Sequence, residues 1–359
     1  MVSQGKVSPE DLERFYASTD QASLAPGWLR RGEERPTVIP FLWKWSEVEP
    51  LVMRSGEVVI PDRDVQRRVL RLANPALSHG TTHTISAALQ LLLPGECAPA
   101  HRHTPTAIRW VIQGEGVYTT VEGDKCYMER GDLVLTPSWT WHDHNSEGDA
   151  PMIWLDGLDT PLVHNLHATF FENYPEDTHP VSGTGESVQK YASGALRPAW
   201  EDTKKPYSQL WHYKWDRTYD ALYNLAQVDS SPFDDVAMEY SDPTTGGPVL
   251  ATMACWIQLI RPGIHTRAHR HTTSAVYHVF EGEGYSIIDG KRFDWERGDM
   301  FVVPSWSWHE FGNDTNQEAI LFSIQDNPVI KSLALFREEA YEENAGHQPV
   351  TGKFKGLER

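Results

Sequence analysis

The sequence predicts an all-β chain: two small barrels of short antiparallel strands in tandem, preceded by a short helical extension. Three observations carry this. From Thr82 to about Ile153 the chain runs in short apolar or alternating stretches (ISAALQLLL, IRWVIQGEGVYTTV, KCYM, DLVLTP, MIWLDGL) broken by Gly, Pro and Asp, the pattern of strands joined by tight turns. The pattern then recurs: HRHTPTAIRWVIQGEGVY from His101 matches HRHTTSAVYHVFEGEGYS from His269, and MERGDLVLTPSWTWH ending at His142 matches WERGDMFVVPSWSWH ending at His309, which is the mark of an internal duplication. Finally, 359 residues with 40% hydrophobic and 23% charged content are enough for two buried cores and too apolar for a disordered chain.

Residues 9–19 read as a helix, with Ser8 as N-cap and Glu10 and Asp11 in the first turn. Pro-rich, charged sequence follows to about Pro40. The duplication reaches beyond the histidine-rich segments, because Trp43-Lys44-Trp45 aligns with Tyr213-Lys214-Trp215, Asn74-Pro75 with Asp242-Pro243, and Asp159-Thr160-Pro161 with Asp326-Asn327-Pro328. The expected organisation is an N-terminal extension (1–42), a first barrel (43–171), a Gly/Ser/Pro-rich linker (172–210), a second barrel (211–337) and a tail (338–359), loosely ordered from about Thr351. Within the second unit, Tyr219, Leu222, Tyr223 and Ala226 have helical spacing.

Charge and composition exclude several function classes. A formal net charge of −18 disfavours nucleic acid or an anionic membrane surface as partner. No apolar run approaches the ~20 residues of a membrane span, and the first 25 residues lack the apolar core of a signal peptide. Cys97, Cys126 and Cys255 are odd in number and lack zinc-motif spacing, as expected of reduced thiols in a cytoplasm. Fourteen tryptophans point to aromatic-lined cores, pockets or subunit contacts.

The chemistry concentrates in Gly95–His144. His101 and His103, one residue apart, fall on one face of a strand, and His142 follows a Pro-containing turn after a second apolar run. Three imidazoles and no carboxylate would leave a divalent ion with its full charge and three vacant positions. Those vacancies suit a substrate chelating through two oxygens, with one place left for O₂. Iron(II) can then exchange an electron with oxygen, which zinc cannot. The second copy repeats the set as His269, His271 and His309, a second metal site or a buried polar network.

Arg109 shares parity with His103, so it is expected to face the same side of its strand, either clamping a substrate carboxylate or forming a structural salt bridge. His144, two residues after His142, is expected in the same pocket as a hydrogen-bond donor or acid/base. Gln90 and its counterpart Gln258 occupy the strand before each His pair. Asp156 is a candidate partner for a ligand histidine or a distal hydroxyl. Trp139, Trp141 and Trp154 are candidate apolar walls. Between the copies, Arg109 becomes Tyr277 and His144 becomes Phe311, so the reactive barrel is expected to be the first.

The arrangement Gly95-(x5)-His101-x-His103 and Gly131-(x5)-Pro137-x-Trp139-x-x-His142, repeated from Gly263 and Gly298, resembles the two motifs of the cupin superfamily, a double-stranded β-helix (jelly-roll) barrel; the chain would be a bicupin. Two departures stand out. Ala107 and Ala275 replace the glutamate ligand of many cupins, and Trp139 and Trp306 replace the glycine usual after the proline. Over most of its length, from WKWSEVEP through LANP, the HRH pair with Arg109, RGDLVLTPSWTWHDH and WLDGLDTP, the chain resembles the gentisate 1,2-dioxygenase family, which includes salicylate and 1-hydroxy-2-naphthoate dioxygenases. The resemblance implies Fe(II) on His101, His103 and His142, O₂ as co-substrate, and substrate contacts from Gln90, Arg109, His144 and Asp156. It also implies a small aromatic ortho-hydroxy acid as substrate, with gentisate opened to maleylpyruvate, and a homotetramer.

Overall fold

The computed structural model describes residues 8–24, 37–60, 67–201 and 205–356. Residues 1–37 form one unit and 38–359 another. In the first, helix Pro9–Gln21 begins where expected, with Ser8 Oγ accepting the N–H of Asp11 at 3.1 Å.

The second unit holds both barrels, each built from two six-stranded sheets. In the first barrel one sheet runs, in spatial order, His212–Tyr213, Leu133–Thr136, Ala107–Gln113, Met152–Leu158, Ser86–Leu92 and Arg68–Arg71. The other runs Phe171–Asn173, Cys97–His103, His142–Ser146, Val117–Val121, Asp124–Met128 and Gly183–Thr184. The second barrel repeats this order, from Phe41–Trp43 to Val236–Glu239 in one sheet and from Glu338–Ala340 to Gly352–Lys353 in the other.

Two features differ from the sequence reading. The segment read as a linker carries strands Phe171–Asn173 and Gly183–Thr184, which flank the first barrel's second sheet. The segment read as a tail does the same for the second barrel through Glu338–Ala340 and Gly352–Lys353. These strands are two or three residues long and polar, so their pairing with a neighbouring edge, not hydrophobic periodicity, makes them strands.

The barrels also exchange strands. Phe41–Trp43 pairs with Met300–Val303 of the second barrel, and His212–Tyr213 pairs with Leu133–Thr136 of the first. Each exchange is anchored by an Arg-Gly-Asp turn. Asp132 accepts the Trp215 N–H at 2.9 Å and the Lys214 ammonium at 2.8 Å, while Asp299 accepts the Trp45 N–H at 2.8 Å and pairs with Lys44. The glycine before each aspartate has a left-handed φ, and a Cβ there would lie 2.7 Å from the Trp215 ring at Gly131 and 2.4 Å from that of Trp45 at Gly298. Only glycine admits the indole.

Reciprocal hydrogen bonds complete the join: Thr252 donates to Asp159 at 2.6 Å and Thr84 to Asp326 at 2.5 Å. One apolar core spans both barrels, with Trp110 stacked on Phe322 at 4.1 Å and its Nε1 donating to His278 at 3.2 Å.

Candidate metal centre

Alternation along Cys97–His103 turns His101 and His103 to one face, and antiparallel pairing sets His142 opposite His101. The ring centroids are 5.4 Å (His101–His103), 4.4 Å (His101–His142) and 4.9 Å (His103–His142) apart. One ligand atom from each ring lies within 4.8 Å of the others. Every Nδ1 sits against a nearby carbonyl: Pro99 at 2.9 Å from His101, Pro105 at 2.6 Å from His103 and Thr140 at 2.9 Å from His142. Since a carbonyl only accepts, Nδ1 carries the proton and Nε2 offers the lone pair, as a metal ligand requires. Nε2 of His142 is buried without a hydrogen-bond partner. Burial, reinforced by neighbouring cationic groups, holds the rings neutral, with His101 pushed down to about 2, His103 to about 4 and His142 well below its ordinary value. Neutral imidazole is the ligating form, so these residues fit a divalent transition ion.

A cavity of about 650 Å³ opens beside the triad, its wall including Arg67, Gln90, His101, His103, Arg109 and Asp156. Gln90 is buried and its Nε2 has no partner, whereas Gln258 Nε2, its counterpart, donates to the Asp234 carbonyl at 2.8 Å. The first barrel thus keeps an amide free for a ligand where the second has satisfied it.

Arg109 shows both expected characters. It lines the cavity, and it forms an ion pair with Asp156, which faces it in register, at 3.6 Å while donating to Thr136 Oγ1 at 2.7 Å. Burial raises the Asp156 carboxyl to about 6, against the pull of Arg109.

Asp156 lines the cavity, and of the two partners expected for it the ligand histidine is the one it does not meet. Its Oδ1 accepts from Trp154 Nε1 at 3.0 Å and faces Arg109, and no described hydrogen bond joins it to a ligand histidine. The reason is topological: Asp156 belongs to the sheet opposite the one that carries the triad.

His144 lies behind His142, wholly buried and outside the cavity wall, with Nδ1 2.8 Å from Thr119 Oγ1 and Nε2 unpartnered. The tryptophans are also not walls. Trp139 and Trp141 sandwich the Arg102 guanidinium at 4.5 and 4.4 Å, and Trp154 packs in the core.

Arg67 was not legible in the sequence. Its Nη1 lies 2.7 Å from His101 Nε2 and its Nη2 2.8 Å from His101 Nδ1, so the guanidinium lies across the ring, and burial lowers it to about 9. Only the register of the adjoining strand, Val69 opposite Gln90, brings it here. Phe171, from the segment read as a linker border, stacks on His101 at 5.1 Å.

The second triad has the same shape, with centroids 5.4, 4.3 and 4.9 Å apart. Its surroundings are apolar: Tyr277 stacks on Phe301 at 4.8 Å, Phe311 takes the place of His144, and Ser323 stands opposite Tyr277 where Asp156 faces Arg109.

Comparison with known proteins agrees with this geometry. The cupin domain model matches residues 88–158 and 256–325. The chain is 40% identical to a 5-aminosalicylate 1,2-dioxygenase from Comamonas sp, over 97% of this chain and 96% of that one. It is 38% identical to a gentisate 1,2-dioxygenase from Streptomyces sp, over 91% and 94%. The chain belongs to the gentisate 1,2-dioxygenase family. The crystal structure of salicylate 1,2-dioxygenase from Pseudoaminobacter salicylatoxidans in its adduct with gentisate superposes with a TM-score of 0.85 at 35% identity, covering 94% of this chain and 96% of that one.

In this bicupin dioxygenase the departures from the cupin motif have physical solutions. Trp139 and Trp306 adopt φ of 63° and 64°, the left-handed backbone that favours glycine. Each is held by its own N–H, donated to the carbonyl of His103 or His271 at 2.8 and 2.7 Å, and by an arginine stacked on its ring.

Proposed function

We propose that the first barrel binds Fe(II) on His101, His103 and His142 and uses O₂ to open the ring of an aromatic acid carrying an ortho hydroxyl, between the carboxyl- and hydroxyl-bearing carbons. Gentisate, giving maleylpyruvate, is the substrate we favour. The observation that carries the reading is the convergence of the neutral His triad with an unpartnered Gln90 amide, the buried Arg109 and the half-buried Arg67 in one cavity. Iron would supply Lewis acidity and the electron transfer that makes O₂ reactive toward the ring.

The protein's part is binding and orientation. Arg109, held by Thr136 and Asp156, offers its guanidinium to the substrate carboxylate, and Gln90 Nε2 is placed to donate to a substrate oxygen. Arg67, lying across His101, supplies a second cation at the cavity wall. His144 is kept neutral, burial and the nearby arginines holding its pKa well below the ordinary value; with Thr119 fixing the ring, its Nε2 is free to accept a hydrogen bond rather than a proton. Salicylate, 5-aminosalicylate and 1-hydroxy-2-naphthoate present the same chelating pair and are the alternative substrates; the 5-aminosalicylate relative favours that acid among them. We further expect a cytoplasmic homotetramer, which sedimentation equilibrium tests for assembly.

Oxygen uptake and ring-cleavage absorbance, measured with each acid after loading with ferrous iron or zinc, test the reading. Turnover with iron and none with zinc is expected, fastest on gentisate. Activity restored by zinc alone removes the iron assignment, and no turnover of any of these acids removes the reading.

A further inference from the structure

Among the described residues a third group of metal-type ligands stands outside both barrel triads: His265, Glu310 and His347. Alternation along the strand His309–Gly312 creates it, since His309 points inward and the next residue, Glu310, points out. The Glu310 side chain is completely buried. Its Oε1 accepts the Gln348 N–H at 2.9 Å, while Oε2 faces His347 Nδ1 at 2.9 Å and His265 Nε2 at 3.2 Å. The imidazole rings lie 4.2 Å apart, with side-chain exposures of 36% for His265 and 29% for His347.

We propose that these three residues bind a divalent transition-metal ion of the zinc class, which fastens the C-terminal segment to the second barrel. With metal–ligand bonds of about 2.0–2.2 Å, adjacent donors stand roughly 3 Å apart, and both observed separations agree. Two imidazoles and a carboxylate suit zinc and its neighbours, not magnesium or calcium. The Gln348 amide on the other carboxylate oxygen fixes the direction in which Oε2 points. Partial exposure of both rings leaves room for water to complete the coordination.

The internal repeat shows that the histidines exceed what the fold requires. In the first barrel the corresponding carboxylate, Asp143, accepts one backbone N–H, from His179 at 2.7 Å, and one side-chain amide, from Asn145 at 2.8 Å. Cys97 stands where the second copy has His265: it pairs with Asn145 in the register that sets His265 against Gly312. Cys97, Asp143 and His179 do not converge into a ligand group. A buried carboxylate holding a loop amide is therefore common to both copies, and the imidazole pair belongs to the second alone. The three ligands come from the turn before His269–His271, from His309–Gly312, and from the segment between Asn344–Gly346 and the edge strand Gly352–Lys353. An ion there ties that edge strand to the barrel wall.

The test uses the full-length protein stripped with chelator, re-equilibrated with Zn²⁺, desalted and counted for metal. Because His265 meets Glu310 through Nε2 and His347 through Nδ1, the variant His265→Gln/His347→Asn places an amide N–H near each nitrogen, keeping hydrogen bonds while removing the imidazole ligands. We expect the variant to hold one zinc per chain fewer than the parent and to show a smaller zinc-dependent rise in Tm. A second chain carrying His103→Ala and His271→Ala, which disables the barrel triads, should still retain one zinc. Equal zinc in parent and variant, or none in the triad-disabled chain, overturns the proposal and leaves a hydrogen-bonded network. Neither count depends on ring-cleaving activity, so failure of that reading is a separate result.

Discussion

Arg109 and Trp139 show how much one residue's surroundings decide. For Arg109→Ala we expect KM for the aromatic acid to rise on the order of 10–100-fold, the value of a charge-assisted hydrogen bond, with a smaller fall in kcat. Steady-state kinetics checks this, and an unchanged KM refutes the clamp. Trp139 combines a strained backbone with a guanidinium stacked on its ring. Trp139→Gly relieves the strain while losing the stacking, so its stability should stay within about 1 kcal/mol of the parent; Trp139→Ala keeps the strain and should be less stable than the glycine variant by roughly that amount. Urea denaturation of the pair separates the two terms. The convergence of His101, His103 and His142 was legible from spacing alone. Arg67 was not, because nothing in its local sequence records which strand its neighbours pair with.

Strands reveal a different kind of information. Interior strands such as Ala107–Gln113 and Ser86–Leu92 are apolar enough to read directly, whereas Phe171–Asn173 and Glu338–Ala340 are exposed along their length and exist because a neighbouring edge accepts them. The Arg-Gly-Asp turns belong to one copy yet receive the other copy's tryptophan. Gly131→Ala should cost more than about 2 kcal/mol, since it adds a clash with Trp215 to an unfavourable φ. Gly95→Ala, at a positive φ with nothing within 4 Å of the added Cβ, should cost about 1 kcal/mol. Thermal melts rank the two, and equal losses contradict the socket role.

Across the whole molecule, the buried histidines govern pH dependence. His101, His103, His269 and His278 are pushed down to about 2, 4, 3 and 3, chiefly by burial. An unfolded histidine titrates near 6.5. Below that pH the unfolded chain binds protons that the folded chain refuses, so this stability is present above about 6.5 and is lost on acidification. Asp156, Asp159 and Asp234, each raised by burial to about 6, act in the opposite sense, their contribution disappearing as pH rises through that value. His142, His144, His271 and His309 are lowered as well, and Asp143, Glu239, Asp299 and Asp326 raised; the histidines dominate because their unfolded value of about 6.5 falls between pH 5 and 7.5. Metal-free protein should therefore melt at a lower temperature at pH 5 than at pH 7.5; a flat or rising Tm on acidification refutes this. The duplication makes a second prediction at this scale. His103→Ala should abolish activity and lower the iron content, while His271→Ala should lower metal content with activity retained, because Tyr277, Phe301 and Phe311 fill the second barrel where the first has its cavity. Loss of activity in His271→Ala would move chemistry into the second barrel.

The sequence alone determined what local spacing and repetition can encode: strand alternation that aligns two histidines, a turn that delivers a third, and a second copy that keeps the histidines but replaces Arg109 and His144. Tertiary structure decided what depends on partners distant in the chain. It set Asp156 against Arg109 instead of a histidine, took Trp139 and Trp141 outside the pocket, and brought Arg67 onto His101. It also exchanged the first strand of each unit between the barrels. Side-chain parity is a property of one strand and survives in the sequence; register and strand exchange belong to pairs of strands and exist only once the chain has folded.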